Sequence, residues 1–169
     1  MPKDKAVLGS EHLLCDKVQL AMLILFFSVW GIDTLSYFVF RVSTVLVGLT
    51  SFPLLLLPAI LSLGFGTYLV SKSHETVFGE KAGHPRLIDS GVYSWVRHPM
   101  YLGTLMVCLG FFFAMTSLLS LAVWIVFFLF YDKMATYEEL DLGRIFVEEY
   151  AAYQRRVPKW HSRLQRRKD

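Results

Sequence analysis

The stretch GVYSWVRHPMYLG, residues 91–103, concentrates chemically useful side chains beside one proline. Arg97 and His98 stand directly before Pro99, and a long apolar run follows. A residue before proline is pushed out of the helical conformation, whereas proline itself suits the first position of a helix. We therefore predict that a helix begins at Pro99. Arg97 and His98 would lie beside its positively polarised end, which can bind a carboxylate or a phosphate.

Further groups in the same stretch extend this predicted anion site. In the first turn of the helix, the backbone N–H groups of Met100, Tyr101 and Leu102 have no intrahelical partner. The rings of Tyr93, Trp95 and Tyr101 offer faces on which a flat base or a cation can lie. A helix start that is rich in donors and flanked by rings therefore favours a zwitterionic ligand with an aromatic part.

A pair of carboxylates, Glu138 and Glu139, follows the apolar run. Two membrane crossings of similar length would return this pair to the surface that holds Arg97 and His98. S-adenosylmethionine suits such a site, because it carries a carboxylate, an ammonium group, an adenine and a sulfonium. A nucleotide or a lipid headgroup would suit the same chemistry. Neither a GxGxxG nor a P-loop pattern occurs in the sequence, so we do not expect a soluble cofactor domain.

The elements that position these residues are apolar. The chain has 169 residues, 54% of them hydrophobic, and a mean hydropathy of +0.46, which is too apolar for a soluble domain of this size. Residues 18–40 contain one charged side chain, Asp33, while residues 42–71 and 99–131 contain none. About 20 apolar residues cross a membrane as a helix. The first two runs are therefore one span each, and the third can form a hairpin of two short ones.

The distribution of basic residues decides how the third run folds. Cytoplasmic loops collect Lys and Arg. If the chain reverses near residues 115–117, every basic residue except Arg41 lies on one side of the membrane. We therefore predict an all-α integral membrane protein with four transmembrane helices, the last two forming a hairpin, and with both termini in the cytoplasm. The membrane would be a bacterial inner membrane or the endoplasmic reticulum.

The polar segments divide the rest of the chain. We predict a single membrane domain with a cytoplasmic leader (1–17), two N-terminal spans (18–71), a core (72–158) and a basic tail (159–169). Apolar residues recur at helical spacing after the last span and predict an amphipathic cytoplasmic helix, which ends before Pro158. The apolar face of this helix comprises Leu142, Ile145, Phe146, Tyr150 and Tyr153.

Two motifs resemble the isoprenylcysteine carboxyl methyltransferase family and the related phospholipid methyltransferases. The first is LIDSGVYSWVRHPMYLG, residues 87–103. The resemblance covers residues 84–158. It implies that residues 72–158 are the core of an integral membrane methyltransferase, which uses S-adenosylmethionine and a lipidic or lipid-attached acceptor. The second motif lies beyond the apolar hairpin and comprises Glu138-Glu139, Leu142, Phe146, Glu149-Tyr150, Tyr153 and Val157-Pro158.

The resemblance also implies roles for individual residues. Arg97 would orient the site or hold an anionic part of the substrate, and for an amine acceptor His98 or Glu139 would remove the proton. His84 stands one residue out of register with a family histidine, and no metal ligands are expected. The candidate catalytic residues are Arg97, His98 and Glu139. The candidate cofactor-binding residues are Leu87, Ile88, Tyr93, His98, Pro99, Met100, Tyr101 and Glu138.

Two positions depart from the family pattern. Val147 stands where the family usually has glycine, so the local turn is expected to differ. Enzymes that methylate prenylcysteine carry an arginine a few residues before the glutamate pair, and Met134 occupies that position here. The methyl acceptor, a carboxylate or an amine, therefore stays open.

Other interpretations of the same residues stay open as well. A membrane reductase could bind a nicotinamide cofactor at the same helix start, and a non-catalytic membrane protein would use Arg97 as an interface anchor and Glu138-Glu139 as a solvated face. Asp33 is either a substrate contact or an outer-interface residue. As partners we expect a lipidic substrate and membrane lipid, and no nucleic acid. Four spans are few for enclosing a lipid, which leaves room for a homodimer.

Overall fold

The computed structural model describes residues 4–46, 52–78 and 87–160 of the chain. All helices and turns in these ranges build one all-α architecture, with an isolated β-bridge between Val45 and Ser117. A short 3₁₀ turn, Gly91–Ser94, precedes the third α-helix. The five α-helices are α1 (Asp4–Phe40), α2 (Phe52–Phe78), α3 (Pro99–Met115), α4 (Leu118–Ile145) and α5 (Val147–Arg156).

Within the described ranges, three helices are long and apolar enough to cross a membrane by themselves. Their apolar segments are Lys17–Phe40, Leu54–Val77 and Leu118–Ile145. The fourth apolar helix, α3, has 17 residues and extends for about 25 Å at the usual rise of an α-helix. The predicted first span, residues 18–40, agrees with the structure to within one residue.

One of the predicted boundaries is wrong. Span two was expected over residues 42–71, whereas α2 begins at Phe52 and continues to Phe78. Residues 43–46 instead lie against the turn between α3 and α4, where Leu46 N donates to the carbonyl of Thr116 (3.2 Å). The predicted leader, residues 1–17, ends where the apolar segment Lys17–Phe40 begins, and α1 itself already begins at Asp4.

The hairpin turn lies where the charge distribution predicted it. Helix α3 ends at Met115, and Thr116 adopts a left-handed conformation (φ 47°, ψ 41°) that reverses the chain. Ser117 then caps α4, because its hydroxyl accepts a hydrogen bond from Ser120 N (3.2 Å). The two helices consequently run antiparallel and return residue 138 to the end of the bundle at which α3 begins.

Helices α2 and α3 are in direct backbone contact. A Cβ atom added at Gly66 would lie 2.7 Å from the carbonyl oxygen of Gly103, and one at Gly103 would lie 2.8 Å from that of Gly66. Small residues at such a crossing let apolar helices approach closely. Ser62 adds a hydrogen bond from its hydroxyl to the carbonyl of Met106 (2.7 Å). This pair of helices fixes the position of the α3 N-terminus.

Asp33 ties α1 to the far end of the α3–α4 hairpin. Its buried carboxylate accepts hydrogen bonds from Thr44 N (3.1 Å), from the Thr44 hydroxyl (2.6 Å) and from the Ser117 hydroxyl (2.6 Å). Glu138 lies roughly 30 Å away along α4, at a rise of 1.5 Å per residue. Of the two interpretations of Asp33, a contact with substrate at the carboxylate pair therefore does not fit its location.

The predicted apolar face of the tail is divided between two helices. Helix α4 continues without interruption to Ile145, and the chain bends at Phe146 (φ −117°, ψ 55°) before α5 begins. Tyr150, Tyr153 and Val157 are buried together, with Leu87, Leu142 and Phe146 packed against them. Ile145 does not join this cluster, because its side chain is 51% exposed. Helix α5 ends at Arg156, before Pro158 as predicted.

Candidate functional site

The start of α3 has the predicted form. His98 is buried and adopts a non-helical conformation (φ −125°, ψ 63°), and Pro99 is the first helical residue. One detail of the prediction is wrong, because Leu102 N donates to the carbonyl of His98 (3.0 Å). At most the N–H groups of Met100 and Tyr101 could therefore serve an anionic ligand at this turn.

The hairpin brings the glutamate pair of α4 to His98. Nε2 of His98 lies 3.0 Å from Oε1 of Glu139, and Nδ1 lies 3.5 Å from Oε2 of Glu138. Both ring nitrogens of one imidazole thus face carboxylates that are consecutive in sequence. The prediction that the glutamates return to the surface of α3 that holds His98 is confirmed by this geometry.

Glu139 is held between two cationic side chains. Its second oxygen, Oε2, lies 3.2 Å from Nη1 of Arg97, and both side chains are only 13% exposed. The backbone of Arg97 is also fixed, because its N–H donates to the carbonyl of Pro158 (3.0 Å). Glu138 differs from its neighbour in being 34% exposed, so it is the carboxylate of the pair that a ligand can reach.

A column of aromatic rings supports the carboxylate pair. The hydroxyl of Tyr101 donates to Oε1 of Glu138. The Tyr101 ring stacks on His98, with centroids 5.8 Å apart, and on Tyr131 of α4, with centroids 4.5 Å apart. Tyr131 stacks in turn on Phe127 (4.6 Å). The polar end of the site is therefore continuous with the apolar core between α3 and α4.

The electrostatic environment favours the charged form of His98. Burial lowers the pKa of this imidazole, but hydrogen bonds and charges from Glu138 and Glu139 outweigh burial and raise the pKa above its ordinary value. With His98 protonated, two cations face two carboxylates in the group Arg97, His98, Glu138 and Glu139. When His98 loses its proton, this group carries a net negative charge.

Tyr93 and Met100, which were also predicted to bind the cofactor, are held by hydrogen bonds to residues outside this network. The hydroxyl of Tyr153 donates to the carbonyl of Tyr93 (2.7 Å), and burial raises the pKa of the Tyr93 phenol, with a further contribution from Glu138. Met100 is half-buried, and its carbonyl accepts a hydrogen bond from the Thr104 hydroxyl (3.0 Å).

Other predicted residues do not join the carboxylate network. Leu87 packs against the α5 cluster of Tyr150 and Tyr153, and Ile88 is half-buried beside it in the chain. Trp95 stacks on Tyr68 of α2 (6.2 Å) and is half-exposed, so it does not supply a ring to the His98 column. His84 lies outside the described residues.

Three functional candidates were missed at the sequence level. They lie where the segment after α5, here called the strap (residues 157–160), meets α4. Nζ of Lys159 donates to the carboxylate of Asp132 (2.6 Å) and to its carbonyl (2.9 Å). Nε1 of Trp160 donates to the same carboxylate oxygen (2.8 Å).

The strap places an indole next to the candidate site. The ring centroid of Trp160 lies 5.9 Å from that of His98 and 5.7 Å from that of Phe128. The predicted division places Lys159 at the start of the basic tail (159–169), and its contacts with Asp132 were not anticipated. One signal was available, since Asp132 is the first charged residue after a long uncharged run.

Comparison with known proteins identifies the family. The sequence profile described as "Phospholipid methyltransferase" matches residues 43–149. The chain belongs to the phospholipid methyltransferase family. The matched region of this family member contains both His98 and the glutamate pair, whereas the strap lies beyond it. The resemblance of the two motifs is thereby confirmed, and with it the assignment to a family of membrane methyltransferases.

Individual relatives carry the names of isoprenylcysteine enzymes. The Protein-S-isoprenylcysteine O-methyltransferase of Mus musculus is 33% identical over 93 residues, which is 52% of this chain and 31% of the relative. That of Saccharomyces cerevisiae is 38% identical over 72 residues, 42% of this chain and 30% of the relative. The family member thus spans about a third of the length of these relatives. No solved structure matches the chain.

Proposed function

We propose that this family member is an S-adenosylmethionine-dependent methyltransferase of the membrane, acting on a lipidic or lipid-attached acceptor. The observation that carries the proposal is the arrangement of Glu138 and Glu139 about His98 at the start of an apolar helix, in a chain of this family. The names of the relatives support methyl transfer to a lipid-modified cysteine in those proteins.

The charges and rings of the site fit the cofactor. Glu138 is partly exposed and can accept hydrogen bonds from an ammonium group. Its carboxylate also attracts a sulfonium, and the Tyr101 hydroxyl, which donates to it, fixes its position. The backbone N–H group of Met100 and the dipole of α3 suit a carboxylate. The proposed cofactor-binding residues are Leu87, Ile88, Tyr93, His98, Pro99, Met100, Tyr101 and Glu138.

The network also explains how the site tolerates a ligand of net positive charge. S-adenosylmethionine carries one carboxylate, one ammonium group and one sulfonium, which sum to a single positive charge. Loss of the His98 proton leaves the network with one uncompensated carboxylate. We therefore infer that binding of the cofactor is linked to the release of a proton from His98.

The chemical step needs positioning more than acid–base chemistry. When bound, the cofactor supplies an electrophilic methyl group on its sulfonium, and the acceptor attacks that carbon in line. The residues of the site hold the two reactants together and exclude water, with Trp160 and Tyr101 as apolar walls around His98. A carboxylate acceptor is already ionised. An amine acceptor must lose a proton, and His98 or Glu139 is placed to take it.

The identity of the acceptor depends on one substituted position. Met134, which occupies the place of the arginine that the prenylcysteine enzymes carry, is buried in the core against α1 and α3 residues such as Phe26 and Leu105. It cannot neutralise a carboxylate. We therefore propose that an anionic acceptor, if this enzyme uses one, is neutralised by cations elsewhere at the site.

We also propose four membrane crossings with both termini in the cytoplasm. Helix α3 is about 25 Å long, close to the roughly 30 Å of a bilayer's hydrocarbon core. One end of α3 contacts α4 at Glu138–Glu139, and the other end is joined to α4 by the Thr116 turn. Helix α3 therefore extends over nearly the same depth of the membrane as α4, which is long enough to cross it. Residues 72–158 would then form the methyltransferase core.

Transfer of a labelled methyl group tests the proposal. The purified chain would be incubated with S-adenosylmethionine carrying a tritiated methyl group, in membranes that contain phosphatidylethanolamine or with N-acetyl-S-farnesylcysteine. We expect incorporation into one acceptor, and a loss of about 100-fold or more in Glu138→Gln. Glu148→Gln, on the exposed side of α5, is the matched control. Absence of transfer to either acceptor, with binding of a nicotinamide cofactor instead, would favour a reductase.

A further inference from the structure

A pocket adjoins the carboxylate network and has Arg97 in common with it. It has a volume of ≈ 220 Å³ and is formed by the end of α5 and by the strap. This volume is smaller than that of pockets which enclose a whole cofactor, roughly 300–1,000 Å³. It is large enough for a single headgroup. Among the described residues that line it, four are cations and none is an acid: Arg97, Arg155, Arg156 and Lys159.

The charges of this pocket are only partly compensated. Arg97 pairs with Glu139 (3.2 Å), Arg156 with Asp89 (2.6 Å) and Lys159 with Asp132 (2.6 Å). None of these three carboxylates belongs to the residues that line the pocket. Arg155 has no carboxylate within ion-pair distance in the described ranges. The walls of the pocket therefore present hydrogen-bond donors and an excess of positive charge.

Two buried polar atoms next to the pocket lack a hydrogen-bond partner within the described part of the chain. They are Nε of Arg97 and the hydroxyl of Tyr150, which lies near Arg97 and Gln154. Buried donors are nearly always satisfied in folded proteins. Of these two residues, Arg97 lines the pocket, so its guanidinium is the group through which the pocket would bind an acceptor.

The pocket and the proposed site of methyl transfer have Arg97 in common. Arg97 lines the pocket and also contacts Glu139, and Trp160 lines it and also lies 5.9 Å from His98. It is located at the end of the bundle where α3 enters the apolar layer, which is the depth of lipid headgroups if α3 crosses the membrane. A lipid held there by its anionic group could place an adjacent atom at the carboxylate pair.

We propose that this pocket is an oxyanion subsite, which binds the phosphodiester or carboxylate of the methyl acceptor. The inference rests on the proposed function and specifies the acceptor, an amphiphile whose anionic group lies close to the methylated atom. Among the four cations that line the pocket, Arg155 would determine specificity for the anionic group, because it makes the fewest contacts within the described part of the protein. Arg97 and Lys159, by contrast, already form ion pairs with Glu139 and Asp132.

Binding of paired probes to the full chain in detergent micelles tests the subsite by calorimetry. One pair is dihexanoylphosphatidylethanolamine and dihexanoylglycerol, which differ in the phosphate-containing headgroup. The other is N-acetyl-S-farnesylcysteine and its methyl ester, which differ in the carboxylate. The variants are Arg155→Ala and Arg155→Lys. The matched control is Arg144→Ala, which removes an exposed arginine of α4 that does not line the pocket.

We expect one of the two probes that carry an oxyanion to bind roughly tenfold more tightly than the counterpart that lacks it. Arg155→Ala should reduce that preference roughly fivefold, with partial recovery in Arg155→Lys and no change in Arg144→Ala. The pair that shows the preference identifies the phosphodiester or the carboxylate as the ligand. The proposal is overturned if neither probe that carries an oxyanion is preferred, or if the preference survives in Arg155→Ala.

Titration with S-adenosylmethionine tests the oxyanion subsite separately from the proposed methyltransferase function. Arg155→Ala should bind the cofactor as the wild type does, which also shows that the variant is folded. A parallel loss of cofactor binding would mean that the pocket holds the carboxylate of S-adenosylmethionine, and would overturn the assignment to the acceptor. Failure of the wild type to bind the cofactor would instead reject the proposed function, whatever the probes show.

Discussion

His98 and Glu139 are 41 residues apart in the sequence, yet Nε2 of the imidazole lies 3.0 Å from Oε1 of the carboxylate. The contact exists because α3 and α4 are antiparallel and reverse at Thr116. It joins the two sequence motifs of the family into one group of charges. The same glutamate also binds Arg97. A single carboxylate therefore holds in place both His98, the N-cap of α3, and Arg97, the residue before it.

Replacing this carboxylate should destabilise the bundle. Glu139→Gln removes the negative charge from between Arg97 and His98, and leaves two partly desolvated cations side by side. Loss of one partner of a largely buried ion pair costs about 3 kcal/mol. We expect a clear fall in the midpoint of denaturant unfolding in micelles, and almost none for the exposed Glu148→Gln. Equal midpoints for the two variants would show that the contact contributes no stability.

The stability of the ligand-free chain should depend on pH through His98. Because its folded-state pKa is raised above the ordinary value of about 6.5, protonation of His98 stabilises the folded state. This contribution is complete below the ordinary pKa and is lost as pH rises through the raised pKa. Apparent melting temperatures between pH 5 and pH 9 should therefore fall on the alkaline side, and His98→Gln should flatten that part of the profile. A fall of equal size in the variant would assign the effect to other groups.

The strap should be released by a change at Asp132. Asp132→Asn removes the charge that holds Lys159, and weakens the acceptor of the Trp160 indole. Because the side chain of Lys159 is only 19% exposed in the intact chain, trypsin should cleave the Lys159–Trp160 bond slowly. We expect cleavage there to become several-fold faster in Asp132→Asn, measured by mass spectrometry.

Asp141→Asn is the control for this experiment. It breaks an exposed ion pair with Arg144 elsewhere on α4 and should leave cleavage after Lys159 unchanged. If both variants behave like the wild type, the contacts of Asp132 do not hold the strap closed.

The crossing of α2 and α3 should not tolerate a side chain. In Gly103→Ala, the new Cβ would lie 2.8 Å from the carbonyl oxygen of Gly66, so the helices must separate. Overpacking of this kind costs about 1–3 kcal/mol. Gly64→Ala is a matched control on α2, since nothing lies within 4 Å of its added Cβ. Unfolding in micelles should distinguish the two, and equal midpoints would contradict the close contact.

The elements that sequence analysis located correctly are those with strong local signals. Pro99 marks a helix start because its fixed backbone angle and missing N–H allow little else. The hairpin turn at Thr116 followed from the distribution of charge around an uncharged run. The pairing of the glutamates with His98 was then a consequence of two helices of similar length.

The details that were missed depend on tertiary contacts. The predicted span two began too early because Thr44 binds Asp33 and Leu46 binds the α3–α4 turn, and no local pattern predicts these contacts. The tail helix was divided at Phe146, where packing of Tyr150 against Leu87 and Leu142 outweighs helical periodicity. Lys159 and Trp160 stand at the start of a basic segment, and their contacts with Asp132 depend on the fold rather than on any local sequence pattern.

Calorimetric titration of the micelle-purified chain with S-adenosylmethionine tests the central claim most directly. We expect saturable binding that is roughly tenfold weaker or more in Glu138→Gln and in His98→Ala, but unchanged in Glu148→Gln. Titration in buffers of different ionisation enthalpy should show that the wild type releases protons near the raised pKa of His98, and that His98→Ala does not. Absence of binding by a folded wild-type chain, or equal binding by the wild type and Glu138→Gln, would contradict the proposed cofactor site.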